Sequence, residues 1–286
     1  MSYGIIIKLI PFNALKVLFL KLLGAKIGKN FKIGYFSTIS TKKYSNIVIG
    51  DFVTIGHNTN IKVSNLFIDN LSIIGNNVEI NGYGKLSIGK SCYVPKIYID
   101  SSGGVKVEEF SALPPAGSIF SHNYSDTWFK PGVRFSFHNV NIGKRVWIGA
   151  GASVLNSNIG DESLIAAGSI VINNLPKNIF AIGNPARVLK ENALNDIDRN
   201  FINTQEFQKE IQEKFANNNI GFFDLLNDDS YIDKKYSCII CNENKLINKS
   251  CSIPILSVLD NNIINMNYNM IPIIRFLREY GIFLKC

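Results

Sequence analysis

A hydrophobic residue followed by glycine returns at intervals of six along much of this chain. Ile27-Gly28 leads to Ile33-Gly34 and Ile39, and Ile49-Gly50 leads to Ile55-Gly56 and Ile61. The beat recurs at Ile74-Gly75 and Ile80, and at Ile88-Gly89 and Val94. It is cleanest at Ile142-Gly143, Ile148-Gly149 and Val154, then at Ile159-Gly160, Ile165 and Val171. A period of six fits neither an amphipathic helix nor an alternating strand. It predicts a coil of short flat strands, each turning one aliphatic side chain inward, with glycine letting the backbone pass a tight corner. Repeats of this kind stack as a parallel β-helix in which each rung covers the apolar face of the one before. Isolated Ile-Gly pairs would follow from an isoleucine-rich composition. A series held in phase from Ile27 to Val171 does not.

Composition narrows the partners. With 46% hydrophobic and 18% charged residues, wholesale disorder is excluded. A net charge of +8 and a pI near 9.1 point to an anionic partner. The lysines form no run resembling a nucleic-acid arm, so a phosphate-bearing cosubstrate or an anionic membrane face is expected rather than nucleic acid. Five cysteines, Cys92, Cys238, Cys241, Cys251 and Cys286, are an odd and sparse set suited to a reducing compartment. Cys238 and Cys241 have the spacing of half a zinc site. Within the strand-like run from Tyr236 they read better as small buried hydrophobes, and no metal is expected.

The chain divides into a leading helical segment (1–26), a β-helical domain (27–190), a helical linker (191–216) and a small α+β appendage (217–286). Within the β-helix the beat fades at about 100–139, where Pro114-Pro115 and a gathering of aromatics predict irregular rungs and a loop thrown from the wall. In the appendage, strands are expected around Gly221–Leu226, Tyr231–Cys241 and Ile253–Leu259, with a helix at Ile271–Tyr280. Ile5 to Leu23 is apolar, yet Lys8, Lys16 and Lys21 interrupt it, so a membrane span is not expected. Nor does the start carry a signal peptide's basic residues or cleavage site, which predicts a cytoplasmic protein. On a helix from Pro11, Asn13, Lys16 and Lys21 share one arc opposite Leu15, Phe19 and Leu22. Residues 1–23 therefore suit a peripheral contact with the inner face of a membrane, or a cap over the first rung. Both readings stand on the sequence.

Three stretches resemble the hexapeptide-repeat acyltransferases, and in particular bacterial sugar O-acetyltransferases. They are Asn141-Ile-Gly-Lys-Arg-Val-Trp-Ile-Gly-Ala-Gly151, Ile159-Gly-Asp-Glu-Ser-Leu-Ile-Ala-Ala-Gly-Ser169 and Ala181-Ile-Gly-Asn-Pro-Ala-Arg187. Upstream, Gly117-Ser-Ile-Phe-Ser-His-Asn-Tyr-Ser-Asp126 is similar to the family's catalytic loop. The resemblance covers about 27–190 and is strong over 117–190. It implies a left-handed coil, a homotrimer, acetyl-CoA as cosubstrate and a carbohydrate acceptor in surface-polysaccharide synthesis. It also implies that acetyl-CoA lies between the coils of neighbouring subunits. There Gly149, Ala150 and Ala167 leave room for pantetheine, and Trp147, Arg187 and Lys190 serve the adenine or phosphate end. Two departures stand out. One residue is missing between Val154 and Ile159, which predicts a slip of the rungs, and Ile172-Asn173 replaces the family's Thr-Lys.

Acyl transfer to a hydroxyl needs a group that takes its proton, and imidazole has a suitable pKa. There are three histidines. His57 sits at a regular rung position and reads as a corner residue. His122 lies in the irregular loop and, with the family match, is the expected base. His138 is expected to touch substrate, together with Asn123, Tyr124, Asp126 and Trp128. The base needs an acceptor to hold its tautomer; Asn123 and Asp126 are near in sequence, and a residue from another rung or subunit is equally compatible. N-acylation of a nucleotide-linked amino sugar is the alternative on the same fold. A β-helical carbonic anhydrase is disfavoured because its histidine spacing is absent, and a non-catalytic scaffold leaves the His-Asn-Tyr loop unexplained.

Overall fold

The computed structural model describes residues 3–123 and 136–192, and beyond them the backbone of five short strands. From Lys26 onward the chain winds through about seven turns of a β-solenoid with three flat faces. Face A stacks Lys26–Ile27, Ile47–Ile49, Asn65–Ile68, Lys85–Ile88, Val105–Val107 and Val140–Ile142 in parallel, and bridges continue it to Ile159 and Leu175. Face B stacks Lys32–Ile33, Thr54–Ile55, Ile73–Ile74 and Tyr93–Val94; Ala112 then bridges it to Trp147–Ile148, Leu164–Ile165 and Ile179–Gly183. Face C runs from Thr38–Ser40 through Asn60–Lys62, Glu79–Asn81, Tyr98–Asp100, Ser118–Phe120 and Ser153–Leu155 to Ile170–Val171.

The six-residue beat is the signature of three interior columns. Ile49, Ile68, Ile88, Val107 and Ile142 fill one; Ile33, Ile55, Ile74, Val94 and Ile148 the second; Ile39, Ile61, Ile80, Ile99 and Ile119 the third. All are buried. Counterparts sit in register one coil apart, as in Ile61 on Ile80 and Ile80 on Ile99, with Leu113 filling the level between Val94 and Ile148. One aliphatic residue per strand therefore suffices to close a core that no single coil could bury.

The glycines serve a different purpose from the one the sequence predicts. The left-handed turn of each corner falls two residues later, on Asn30, Phe36, Phe52 and Asn58, all with φ near +55°. What glycine provides is close approach between coils. A Cβ on Gly34 would lie 2.6 Å from the backbone carbon of Gly56, whereas one on Gly75 would find its nearest atom at 3.2 Å. Gly34→Ala should therefore cost about 1–3 kcal/mol through overpacking against backbone, and Gly75→Ala clearly less, as read by thermal unfolding. Equal effects would remove the close-approach explanation.

Fading of the beat after Asp100 does not interrupt the solenoid. Val105–Val107 and Ser118–Phe120 keep register, with Leu113 and Ile119 buried between coils. The detour begins only at Ser121. His122 and Asn123 pair antiparallel with Phe137 and Ser136, forming the base of a hairpin that returns to face A at Val140. Nor do the rungs slip at the residue missing after Val154. Val154 stays over Val171 and Ile142 over Ile159, because the corner at Asn156 (φ +50°) absorbs the deletion.

Residues 1–26 are not one helix. Helix α1 (Tyr3–Leu9) and helix α2 (Asn13–Leu22) are separated at Ile10–Phe12, where Pro11 lacks the N–H a continuous helix would use. Among the described residues no helix is long and apolar enough to cross a membrane. Both helices pack on the first coil, and the contact surface of α2 is polar. Asn13 accepts from Ile33 N (2.8 Å) and donates to Phe31 O (3.3 Å). The Lys16 ammonium donates to Gly34 O (2.6 Å) and Ser37 O (3.3 Å). A solenoid's first coil leaves such groups without a neighbour below, and these side chains supply one. Leu20 and Ile7 cover its apolar interior. The arc of Asn13 and Lys16 thus faces inward, where an amphipathic reading turns it to solvent.

The second compact unit, residues 197–286, contains a five-stranded sheet. It runs Phe223–Leu225, Ser230–Asp233, Cys238–Cys241, Ile255–Ser257 and Asn262–Ile264, antiparallel except between the third and fourth. The stretch expected as a single strand at Tyr231–Cys241 is two strands folded on each other. The expected helix at 271–280 and most of the 191–216 linker lie outside the described residues.

Candidate active site

Asp100 ends its strand on face C directly beneath Phe120, which brings it under the chain as it leaves the coil at Ser121 and His122. His122 Nδ1 makes a short hydrogen bond to Asp100 Oδ2. Both groups are well sheltered, with side-chain exposures of 14% and 5%. The other carboxylate oxygen accepts from the Ser102 hydroxyl at 2.6 Å and from Ser102 N at 3.3 Å. Oδ2 also accepts from Ser121 N at 3.2 Å. The Ser121 hydroxyl accepts from Gly103 N (2.8 Å) and donates to Asp100 O (2.8 Å), tying the two coils together at this corner.

Burial pushes the Asp100 carboxyl up, but the Ser102 hydroxyl, His122 and Ser121 N outweigh it and hold the group below its ordinary value of 3.8. It is therefore a carboxylate at neutral pH. A carboxylate on Nδ1 takes the proton there and leaves the lone pair of neutral imidazole on Nε2. This is the tautomer a general base requires. Phe120 contacts the imidazole edge-on at 6.4 Å and packs in turn on Tyr98 at 5.5 Å. Asn156, one coil further, donates to His122 O at 3.4 Å, and its own Oδ1 is buried with no donor among the described residues.

The partner of His122 Nδ1 thus comes from the preceding coil, as Asp100. Asn123 is half-buried in the hairpin base opposite Ser136. Tyr124, Asp126 and Trp128 lie outside the described residues. His138 is exposed beside the hairpin, with its backbone N bonded to Ser121 O. His57 is structural: its Nδ1 accepts from Tyr35 N at 3.0 Å and its ring stacks on Tyr35.

The residues expected to hold a cosubstrate form a second group. Ala150-Gly151 and Ala167-Gly168 turn the corner from face B to face C in successive coils, joined by Gly168 N to Ala150 O at 2.8 Å. Both alanines are exposed. A Cβ built on Gly151 or Gly168 would meet nothing within 4 Å, so the corner is an open shelf that carries alanine methyls and no larger side chain. Gly149 is different. It is buried, and backbone of Ala167 stands where its Cβ would be, so it allows the coils to close. Trp147, 52% exposed, shares a column on face B with Leu164, Phe180 and Lys190. Arg187 and Lys190 are exposed on Ala186–Glu191, which folds back antiparallel over the last strand.

These two groups do not meet within one chain. His122 stands where face C ends and the shelf where face C begins, about 15 Å apart by the rise of the intervening strand residues. A cavity of about 370 Å³ lies elsewhere, between α1 and the first coils, lined by Lys8, Phe36, Asn58, Asn60 and Glu79. Its polar side chains largely bond one another, as in Asn58 to Asn77 and Asn60 to Glu79. Among the described residues no cluster has a metal's ligand set.

No protein-family model matches the sequence, and no curated protein does. Solved structures of hexapeptide-repeat acyltransferases are similar in shape. One from Vibrio cholerae covers 66% of this chain and 86% of its own, with 14% identity and a TM-score of 0.39. A substituted form of the N-acyltransferase AntD from Bacillus cereus, in complex with dTDP and coenzyme A, covers 69% and 96% (19% identity, TM-score 0.45). The polySia-specific acetyltransferase NeuO covers 66% and 93% (17% identity, TM-score 0.45). Identity at this level carries no residue's role across.

Proposed function

We propose that this chain is an acetyl-CoA-dependent O-acetyltransferase acting on a carbohydrate of bacterial surface polysaccharide, in the left-handed trimeric form the family resemblance implies. The observation that carries the proposal is the His122–Asp100 pair, an oriented imidazole at the mouth of a loop on an otherwise regular scaffold. Buried carboxylate–imidazole pairs can be purely structural. Here, however, the packing of the coil is complete without His122, since Ile99 and Ile119 already fill the interior at that level.

The chemistry follows from the tautomer. Nε2 of His122 takes the proton of an acceptor hydroxyl as that oxygen bonds to the acyl carbon, and Asp100 supports the resulting imidazolium. Acetyl-CoA supplies the acyl group as a thioester. Once its C–S bond breaks, His122 returns the proton to sulfur, so a hydroxyl and a thioester become an ester and a thiol.

The shelf at Ala150-Gly151 and Ala167-Gly168 suits the narrow pantetheine chain because nothing larger than a methyl projects from it. Since the shelf and His122 occupy opposite edges of face C, a complete site requires His122 of one copy beside the shelf of another. Light scattering should accordingly give a trimer. Ala150→Trp should raise KM for acetyl-CoA by on the order of tenfold, a loss of about 1.4 kcal/mol, without changing the melting temperature. An unchanged KM would move the cosubstrate off this shelf. The decisive test of the reaction is thiol release from acetyl-CoA across sugars, amino sugars, nucleotide sugars and lipid-linked glycans, with mass spectrometry of the products. Transfer only to an amine would replace O-acetylation by N-acylation; no transfer to any acceptor would overturn the proposal.

A further inference from the structure

The end of the solenoid that carries the helices has an unusual surface. Asn13, Lys16 and Leu20 of α2 face the first coil and Val17 and Phe19 pack partly against the core, which leaves three leucines of the helix pointing away from the protein. Leu15, Leu18 and Leu22 are 50%, 54% and 76% exposed, and Phe12, Leu9, Ile5 and Tyr3 extend the band across α1. Burying Lys16 beneath leucines that remain in solvent reverses the usual order of an amphipathic helix, and soluble proteins seldom leave such a band uncovered.

Charge at the same end identifies what covers it. The first 50 residues contain eight lysines, namely 8, 16, 21, 26, 29, 32, 42 and 43, and no acidic residue. Of 30 basic residues, 22 therefore remain for the rest of the chain, where they balance its 22 acids. The whole net charge of +8 belongs to the cap and the first coil. All of these lysines except Lys16 are exposed. An apolar band rimmed by cations, with Asp51 of the second coil held against the Lys29 main chain as a neighbouring carboxylate, is complementary to a bilayer whose headgroups are anionic. A second copy of this chain would present the same cations and repel.

We propose that the α1–α2 end docks on an anionic membrane surface, with Leu15, Leu18 and Leu22 entering the interface and the first-coil lysines meeting the headgroups. This capping end thereby serves two purposes, closing the solenoid with its polar side and binding lipid with its apolar one. At about 4.8 Å per coil, His122 in the fifth coil would stand about 20 Å above that end, within reach of a glycan carried on lipid. Docking itself does not depend on the reaction proposed above.

The test is cosedimentation of the full chain with phosphatidylcholine vesicles, with and without phosphatidylglycerol. Binding is expected to the anionic vesicles and to weaken with salt. The variant Leu15→Ser/Leu18→Ser/Leu22→Ser should lose it by about tenfold or more, with its melting temperature and its assembly in light scattering unchanged. As a second, independent variant, Lys21→Glu/Lys29→Glu/Lys42→Glu leaves every buried contact in place and should lose anionic binding equally. Four results would overturn the proposal. These are binding no stronger to anionic than to neutral vesicles, retention of binding by the charge variant, a smaller assembly of the serine variant, and a lower melting temperature of that variant without vesicles. The third would make a second copy the occupant, and the fourth the chain's own residues.

Discussion

His122→Ala should lower the rate of acetyl transfer by about 10²–10⁴, the usual contribution of a positioned general base, while the chain stays folded with its oligomeric state unchanged and loses only the stability of one hydrogen bond to Asp100, about 1–3 kcal/mol. The expectation rests on where the imidazole stands. It leaves the coil at the first residue after Ser121, outside the interior columns, so removing it opens no cavity in the core. Its main-chain oxygen still accepts from Asn156 in the variant. The measurement is kcat at saturating acetyl-CoA, alongside thermal unfolding. A variant that keeps most of its kcat would take the base role from His122 and transfer attention to His138.

Asp100→Asn should cost nearly as much, about 10²–10⁴ in kcat by analogy with other oriented imidazoles, although Asp100 touches no substrate. Both of its oxygens already face donors: Ser102 N and Oγ at one, Ser121 N and His122 Nδ1 at the other. An amide can present an acceptor to only one side. Either its NH2 meets Ser102, or it meets His122 and drives the proton to Nε2, the wrong tautomer for a base. The variant should also be less stable by about 1–3 kcal/mol, the cost of a buried donor left without an acceptor. Rising KM for acetyl-CoA with unchanged kcat would contradict a role in orienting the imidazole.

The same pair has a pH signature. Because the folded-state pKa of Asp100 lies below 3.8, the stability it contributes is fully present above the unfolded value and is lost as pH falls through the lower, folded one. Asp100→Asn should therefore flatten the acid limb of the stability curve below pH 3.8 and leave the neutral range displaced by a constant amount.

Much of the solenoid was readable from the chain because a repeat is a local code. Each Ile of the beat needs only to know its own strand, and stacking follows from six-residue spacing. Where the beat fades, at Val105–Val107 and Ser118–Phe120, the coil persists because neighbours above and below impose register on residues whose own spacing is poor. The deletion after Val154 teaches the same lesson: a corner can lose a residue more cheaply than an interior column can lose its alignment.

His122 was legible as the candidate base from its loop and motif, yet its partner was not. Asp100 lies 22 positions earlier, a separation set by one full coil and visible only once Asp100 is known to sit under Phe120. Nearby Asn123 and Asp126 were the natural expectation for a reader limited to sequence neighbours. The polarity of the N-terminal helices was likewise beyond the sequence. An apolar periodicity says that two faces differ, and solvent is normally given the polar one. Here the surface to be covered was the open edge of a β-coil, with unpaired N–H and C=O groups. Those groups draw Asn13 and Lys16 inward through hydrogen bonds and leave the leucines outside. Local spacing thus determined that this chain coils and which residues fill the coil. Contacts one turn apart decided which acid orients the histidine, which glycines are indispensable and which side of the cap faces outward, because in a solenoid each residue's neighbours are about twenty positions away.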